Sequence, residues 1–230
     1  MAKSAVVSVV KDPELGRRLR VNVASRKGFS DIEAKRHQSA AELAEIVINS
    51  FEFKRMVTGR QSFTSTDDTG VQVYNRLMTG AEVLDPAVDY EMDVNVTIYE
   101  QNNSTVGYTY SNVVMIWLNR KFFKKYSLGE IAGNMVHEWT HKMGYGHTSN
   151  NTSVRPYSVP YWIGYLVRDM VQDYEDGERF TDLYPIVIEV PTVPENPEVT
   201  EPVVVAPAPE KKKICKWTWR FWLGKVCYYE

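Results

Sequence analysis

Along the first 185 residues the apolar positions recur with two distinct periods. Residues 93–100 (DVNVTIYE) set Val94, Val96 and Ile98 in alternation with polar side chains. A period of two places those three on one face of a half-buried strand. Residues 112–118 (NVVMIWL) are apolar after Asn112, with β-branched residues and a tryptophan, and predict a second strand. Helical signals occupy the rest. Ser30-Asp31-Ile32-Glu33 is a capping box that opens a helix running to residue 50, with Ile32, Ala40, Leu43, Ala44, Ile46 and Val47 on its apolar side. The following SFEFKRMV continues or closes that helical region, and residues 72–78 and 81–84 fit neither period cleanly. Ser127-Leu128-Gly129-Glu130 is a second capping box, opening a helix through IAGNMVHEWTHKM that Gly144 stops. Ser158-Val159-Pro160 opens a third helix, with proline in its first turn, which carries YWIGYLVRDMVQDY to residue 176. The mixture of periods predicts an α+β domain over residues 1–185.

The pattern then changes once. Six of the 11 prolines lie between Pro191 and Pro209, together with several glutamates and no basic residue. Residues 186–210 therefore read as an extended linker or strap that builds no core of its own. Residues 211–230 form a basic tail holding Trp217, Trp219 and Trp222, with Cys215 and Cys227 bracketing KWTWRFWLGKV. Two strands closed by a disulfide, with Gly224 in the turn, would make a small C-terminal hairpin. Such a bond needs an oxidising compartment or an extracellular particle. The tail reads either as a docking element for a cell envelope, a polysaccharide or a protein assembly, or as a flap covering apolar surface of its own domain.

Charge narrows the partners. Lys and Arg number 27 against 29 Asp and Glu, a net charge of -2. No global field steers the molecule to nucleic acid. No apolar run approaches the roughly 18 residues of a bilayer span, and the opening MAKSAVVSVVKDPEL meets a charge and a proline too early for a signal-peptide core.

The candidate chemistry lies on the second capped helix. Residues 137–147 read HEWTHKMGYGH, the pattern HExxHxxGxxH. Four residues of helix return to nearly the same face, so His137 and His141 stack one turn apart and can share one Zn²⁺. Glu138 sits about 100° round the helix, placed for a water rather than for the metal itself. Gly144 can take a left-handed conformation that turns the chain back and brings in His147 as a third nitrogen ligand. A fourth position remains for water, the arrangement of a catalytic site. The fourth histidine, His37, lies in the charged stretch AKRHQ and predicts a solvated helix face.

This eleven-residue string resembles the metzincin clan of zinc metallopeptidases. The wider stretch from residue 49 to 164 (NSFEFKRMV, VDYEMDV, GYTY to RKFF, AGNMVHEWTHKMGYGH, RPYSVPYWIG) is similar to a group of bacterial and phage zincin-like proteins. The resemblance implies a zincin-like α+β fold: a mixed sheet, an active-site helix and a C-terminal helix. It makes His137, His141 and His147 zinc ligands and Glu138 the general base. It also implies that the edge strand aligning a peptide substrate corresponds to residues 112–118. One feature departs from the clan. Its methionine turn beneath the zinc is replaced here by RPYSVPY, and Met170, the methionine after the motif, falls inside the third helix. Tyr161 is the first candidate and Tyr157 the second for a tyrosine approaching the metal or the oxyanion. The gluzincin alternative would take its third ligand from a later helix, where Glu175 is available, although its flanks QDYEDGE read as a solvated helix end.

The function implied is a zinc-dependent metallopeptidase hydrolysing peptide or protein substrates, with Glu138 as base. The competing reading is a structural or docking protein, for example of a phage particle, on a zincin scaffold whose zinc site is vestigial or stabilising. The sequence assigns no location and leaves the cytoplasm and a virus particle both open.

Overall fold

The computed structural model describes residues 18–183 and the backbone of residues 213–216 and 226–229. Four strands make one mixed sheet: β1 (Arg20–Lys27), β2 (Glu91–Tyr99), β3 (Gly107–Tyr108) and β4 (Met115–Asn119), in the order β1-β2-β4-β3. β1, β2 and β4 run parallel, and β3 is antiparallel to β4. Along β2 the alternation read from sequence is realised, with Met92, Val94, Val96 and Ile98 buried. Val96 and Ile98 lie beside Ile116 and Leu118 of β4, so both strands bury the same face.

Two strands were not anticipated, for different reasons. β1 offers only a short alternation around Val21 and Val23, and its register slips between Asn22 and Ser25. β3 has two residues, too few to show any period. The second of these corrects the expectation for residues 112–118. That strand starts at Met115 and is flanked on both sides, so the edge beyond it belongs to Gly107 and Tyr108.

Six α-helices occur among the described residues: α1 (Asp31–Ile48), α2 (Phe51–Thr58), α3 (Gly70–Thr79), α4 (Arg120–Phe123), α5 (Leu128–Lys142) and α6 (Val159–Glu175). The capping boxes at Ser30/Glu33 and Ser127/Glu130 both form, each with the serine oxygen and the glutamate accepting backbone N–H groups. SFEFKRMV becomes a separate helix, because Ser50 leaves α1 and caps α2 by accepting from the Phe53 N–H. Thr69 and Gln72 supply a third capping box for α3, which resolves residues 72–78, whereas residues 81–84 are irregular.

The buried face of α1 corrects two expectations. Ile32 is 79% exposed, and His37 is fully buried. His37 belongs to the stripe Ala40, Ala41, Ala44, Val47, Ile48, one turn before its first alanine. Its ring packs edge-on to Phe29 and is stacked with Phe123, and its Nδ1 accepts from Arg26 Nε at 3.3 Å. Nε2 is buried without a partner. Burial, followed by the Arg26 charge, pushes the imidazole down to about 3.

Helices α5 and α6 cross almost backbone to backbone. A methyl added at Gly133 would lie 2.4 Å from the Gly164 carbonyl oxygen, and one at Gly129 2.6 Å from that of Arg168. Below α5, Lys142 Nζ meets Glu82 Oε2 at 2.7 Å in the interior and donates to the Asp93 carbonyl, while Trp139 Nε1 donates to Glu82 Oε1 at 2.7 Å. Burial raises the Glu82 carboxyl, and Lys142 and Trp139 pull it back. This network ties α5 to β2 and to the loop before it.

The chain divides into two compact units, Met1–Ile186 and Val187–Glu230. In the second, β5 (Lys213–Lys216) and β6 (Val226–Tyr229) pair antiparallel, with Cys215 opposite Cys227. The Cys215–Cys227 disulfide, the strap and the three tail tryptophans lie outside the described residues. Among the described residues no helix is long and apolar enough to cross a membrane.

Candidate metal centre

α5 delivers two histidines from consecutive turns, and its C-terminus delivers the third. At Gly144, φ is +91°, a value that favours glycine. The Gly144 N–H donates to the His141 carbonyl and the Tyr145 N–H to that of Thr140, the paired bonds of a Schellman stop. This turn reverses the chain and brings His147 back to the helix. One candidate ligand atom each from His137, His141 and His147 lies within 4.8 Å of the others. The ring centroids are 4.9–5.3 Å apart.

Each ring is held by a backbone carbonyl. His141 Nδ1 contacts the Tyr145 carbonyl at 2.7 Å and His147 Nδ1 that of Thr148 at 2.9 Å. His137 hydrogen-bonds the carbonyl of Pro160 at the start of α6. A carbonyl can only accept, so Nδ1 of His141 and of His147 carries the proton and Nε2 is left as the ligand atom. Burial lowers all three imidazoles, His137 well below the ordinary range, and their mutual repulsion adds to it at His137 and His141. Three neutral, carbonyl-oriented imidazoles on one point are the donor set that Zn²⁺ takes. The same stop therefore shapes both the chain path and a ligand: the residue after Gly144 supplies the carbonyl that orients His141. Tyr145 is itself fixed, its hydroxyl donating to Asp68 Oδ2 at 2.9 Å and its ring lying under Arg76.

Glu138 is 4% exposed and takes part in no ion pair among the described residues. Asn134, one turn earlier, donates to its Oε1 at 3.4 Å. Burial raises the carboxyl to about 8, and the Asn134 contact opposes the rise. Edge strand β3 passes directly over this pair. A methyl on Gly107 would lie 2.8 Å from Asn134 Oδ1, 3.0 Å from the Trp117 carbonyl oxygen and 3.3 Å from Glu138 Oε1, so a larger residue there would have to displace the Asn134 side chain. Asn119 brings β3 to this place. It is buried at the end of β4, and its Nδ2 donates to the Gln101 and Thr105 carbonyls at 2.9 and 3.0 Å, gathering the loop that leads into β3.

The two tyrosines separate clearly. The Tyr161 ring stands 4.5 Å from His137 and 4.8 Å from His147, centroid to centroid. Burial raises its hydroxyl, partly offset by the Arg155 guanidinium. Tyr157 lies in the short 3-10 turn Arg155–Tyr157, is 52% exposed, and packs on Arg60 instead. Glu175 is exposed at the end of α6 and is not among the residues that converge with the histidines.

Sequence reasoning missed Asn134, Gly107 and Arg155. Asn134 stood one turn before Glu138 on the same helix, a readable signal. Gly107 depends on a strand pairing that no local pattern announces. Arg155 lies within RPYSVPY, where no local pattern separates it from an ordinary surface arginine. Comparisons with family models, with curated proteins and with solved structures found no match to the chain.

Proposed function

We propose that the protein is a zinc-dependent peptidase with a metzincin-like site, in which Glu138 serves as general base. The observation that carries the proposal is the convergence of three carbonyl-oriented imidazoles beside a buried carboxylate that has no ion-pair partner. His137, His141 and His147 would hold the metal. Zinc, when bound, supplies a Lewis acid that polarises a substrate carbonyl and lowers the pKa of water. A neighbouring cation also draws a buried carboxyl down, so Glu138 would be ionised and ready to accept a proton. Its carboxylate takes the proton that the attacking water loses and passes it to the departing amine. Tyr161 keeps its hydroxyl proton, because burial raises that group, and can donate a hydrogen bond to a developing oxyanion. The β3 edge, passing over Glu138, offers backbone groups to an extended peptide. It takes the place that the resemblance gave to residues 112–118.

The test uses the full chain and three readouts: zinc content, folding and digestion of a mixed peptide library. The parent should hold one zinc per chain and cleave. His147→Ala should lose most of the metal. Glu138→Gln should keep metal and fold and lose several orders of magnitude in rate, because an amide cannot accept the proton. Full zinc occupancy in His147→Ala refutes the ligand set, and undiminished cleavage by Glu138→Gln refutes the base.

A further inference from the structure

Arg155 is a cation at the candidate site that the mechanism does not use. Its guanidinium carbon lies 4.6 Å from the centre of the Tyr161 ring, and that ring is in contact with both His137 and His147. No acidic residue among those described forms an ion pair with it. Its Nε is buried without a partner, and its hydrogen bond to the Ser149 carbonyl is long, at 3.5 Å. Other arginines are engaged. Arg120 pairs with Glu33 at 2.9 Å, Arg18 with Asp182 at 2.6 Å, and Arg76 donates to the Met143 carbonyl at 2.6 Å. Arg60, which also lacks an acid, is enclosed by the rings of Phe63, Tyr157 and Trp162. Arg155 therefore combines a half-buried charge, unused donor capacity and proximity to the histidine cluster.

A guanidinium so placed suits one class of group. Its planar fork matches a carboxylate with two parallel hydrogen bonds, and partial burial strengthens the pairing relative to an exposed one. Its place over the Tyr161 ring positions the fork, and a hydrogen bond to the Tyr161 hydroxyl takes up only part of its five N–H groups, leaving Nε among those without a partner. Arg155 packs on Tyr161 rather than on the histidines, although its charge is felt by His137 and His147, so it is set to read a group next to the reacting bond rather than the reacting atoms. We infer that Arg155 is a specificity residue that receives a substrate carboxylate beside the scissile bond. The carboxylate comes either from an acidic side chain or from a free C-terminus. The inference rests on the peptidase reading for the word substrate, but the docking of a carboxylate can be measured without turnover.

The experiment immobilises full-length, zinc-loaded Glu138→Gln and offers it paired mixtures of short peptides. One pair differs only by Glu against Gln at fixed internal positions, with both ends blocked. The other has neutral side chains and differs only by a free or an amidated C-terminus. Recovery is read by mass spectrometry. The carboxylate member should be enriched about tenfold or more in one arm, and that arm identifies the source. The enrichment should disappear when Arg155→Gln is added and fall to an intermediate level with Arg155→Lys, which keeps the charge but loses the fork. Unchanged zinc content and melting temperature in both variants exclude a general loss of the site. In the parent enzyme the same preference should appear in KM, with kcat little altered. Equal recovery of acid and amide in both arms overturns the inference, and so does enrichment that survives Arg155→Gln. Cleavage by the parent without acid preference removes the inference and leaves the peptidase reading standing. Arg155-dependent enrichment with no cleavage at all does the reverse.

Discussion

Replacing Gly133 with alanine tests whether the close crossing of α5 and α6 builds the site or merely fills space. The added methyl would stand 2.4 Å from the Gly164 carbonyl oxygen and 2.8 Å from Arg168 Cβ, where ordinary contact begins at 3.4 Å. Two packed backbones must then part locally by about 1 Å, because neither neighbouring atom is the free end of a flexible side chain. Alanine recovers about 1 kcal/mol of helix propensity. Forcing extra volume into a packed seam costs about 1–3 kcal/mol, and a clash with backbone on the partner helix belongs at or above the upper end. The net loss is about 2 kcal/mol or more, which lowers the melting temperature by about 4–8 °C or more in a domain of this size. The effect on the site is the sharper measure. α6 carries both the Pro160 carbonyl that holds His137 and the Tyr161 ring that packs edge-to-face against it. Loosening that support should weaken zinc binding by about tenfold or more, the usual consequence of losing an outer partner of a ligating histidine. Gly129→Ala provides the comparison. Its methyl also meets backbone, at 2.6 Å from the Arg168 carbonyl, but two turns from His137. It should cost similar stability and leave zinc affinity unchanged. A Gly133→Ala protein as stable as the parent, or one that loses no more zinc affinity than Gly129→Ala, refutes the reasoning.

Two further predictions concern the interior. His37 titrates at about 3 in the fold and near 6.5 in an unfolded chain, so the unfolded state binds more protons between those values. Stability from this residue is fully present above pH 6.5 and is lost as pH falls toward 3, amounting to about 2 kcal/mol by pH 5; denaturant melts across that range should show a shallower slope in His37→Gln, and an unchanged slope would be the contrary result. Lys142→Met leaves Glu82 buried without its cation and should cost about 3–5 kcal/mol by chemical denaturation, whereas the double change with Glu82→Gln should recover much of that loss; equal stability of the two variants would show that the pair is not coupled.

The features legible in sequence were those written within a few residues of one another. The capping boxes at Ser30 and Ser127 and the spacing of His137, His141, Gly144 and His147 all concern a single helix or its end, and local geometry enforces them. Pairing across long separations left no such mark. Gly107 and Tyr108 become an edge strand only because Asn119 gathers the preceding loop, and β1 pairs with a strand some seventy positions later in the chain. His37 was misread from the charges beside it, although its spacing to Ala40, Ala41 and Ala44 already put it on the buried stripe. Residue type suggested water, position required the core, and position prevailed because the ring can stay neutral. Arg155 could not be assigned from composition, since what distinguishes it is the acid it lacks and the ring it lies on.

The way β1 is bordered bears on how the protein behaves at high concentration. An open strand edge presents unpaired N–H and C=O groups that can recruit the strand of another molecule. Here the Val21 N–H is already taken by Glu45 Oε2 at 2.9 Å, and Asn49 bonds both the N–H and the carbonyl of Leu19, at 2.9 and 2.8 Å. Both side chains come from α1 or its C-cap, so the helix that covers the sheet also occupies the outer rail of its first strand. Arg26 and Lys27 charge the far end of that strand, and the opposite border of the sheet, β3, is only two residues long. Strand addition is thereby hindered at the start of β1, and at β3 the sheet edge is long enough only for a short contact. Among the described residues, restraint on edge-to-edge pairing thus comes from the fold itself rather than from a net charge of only -2.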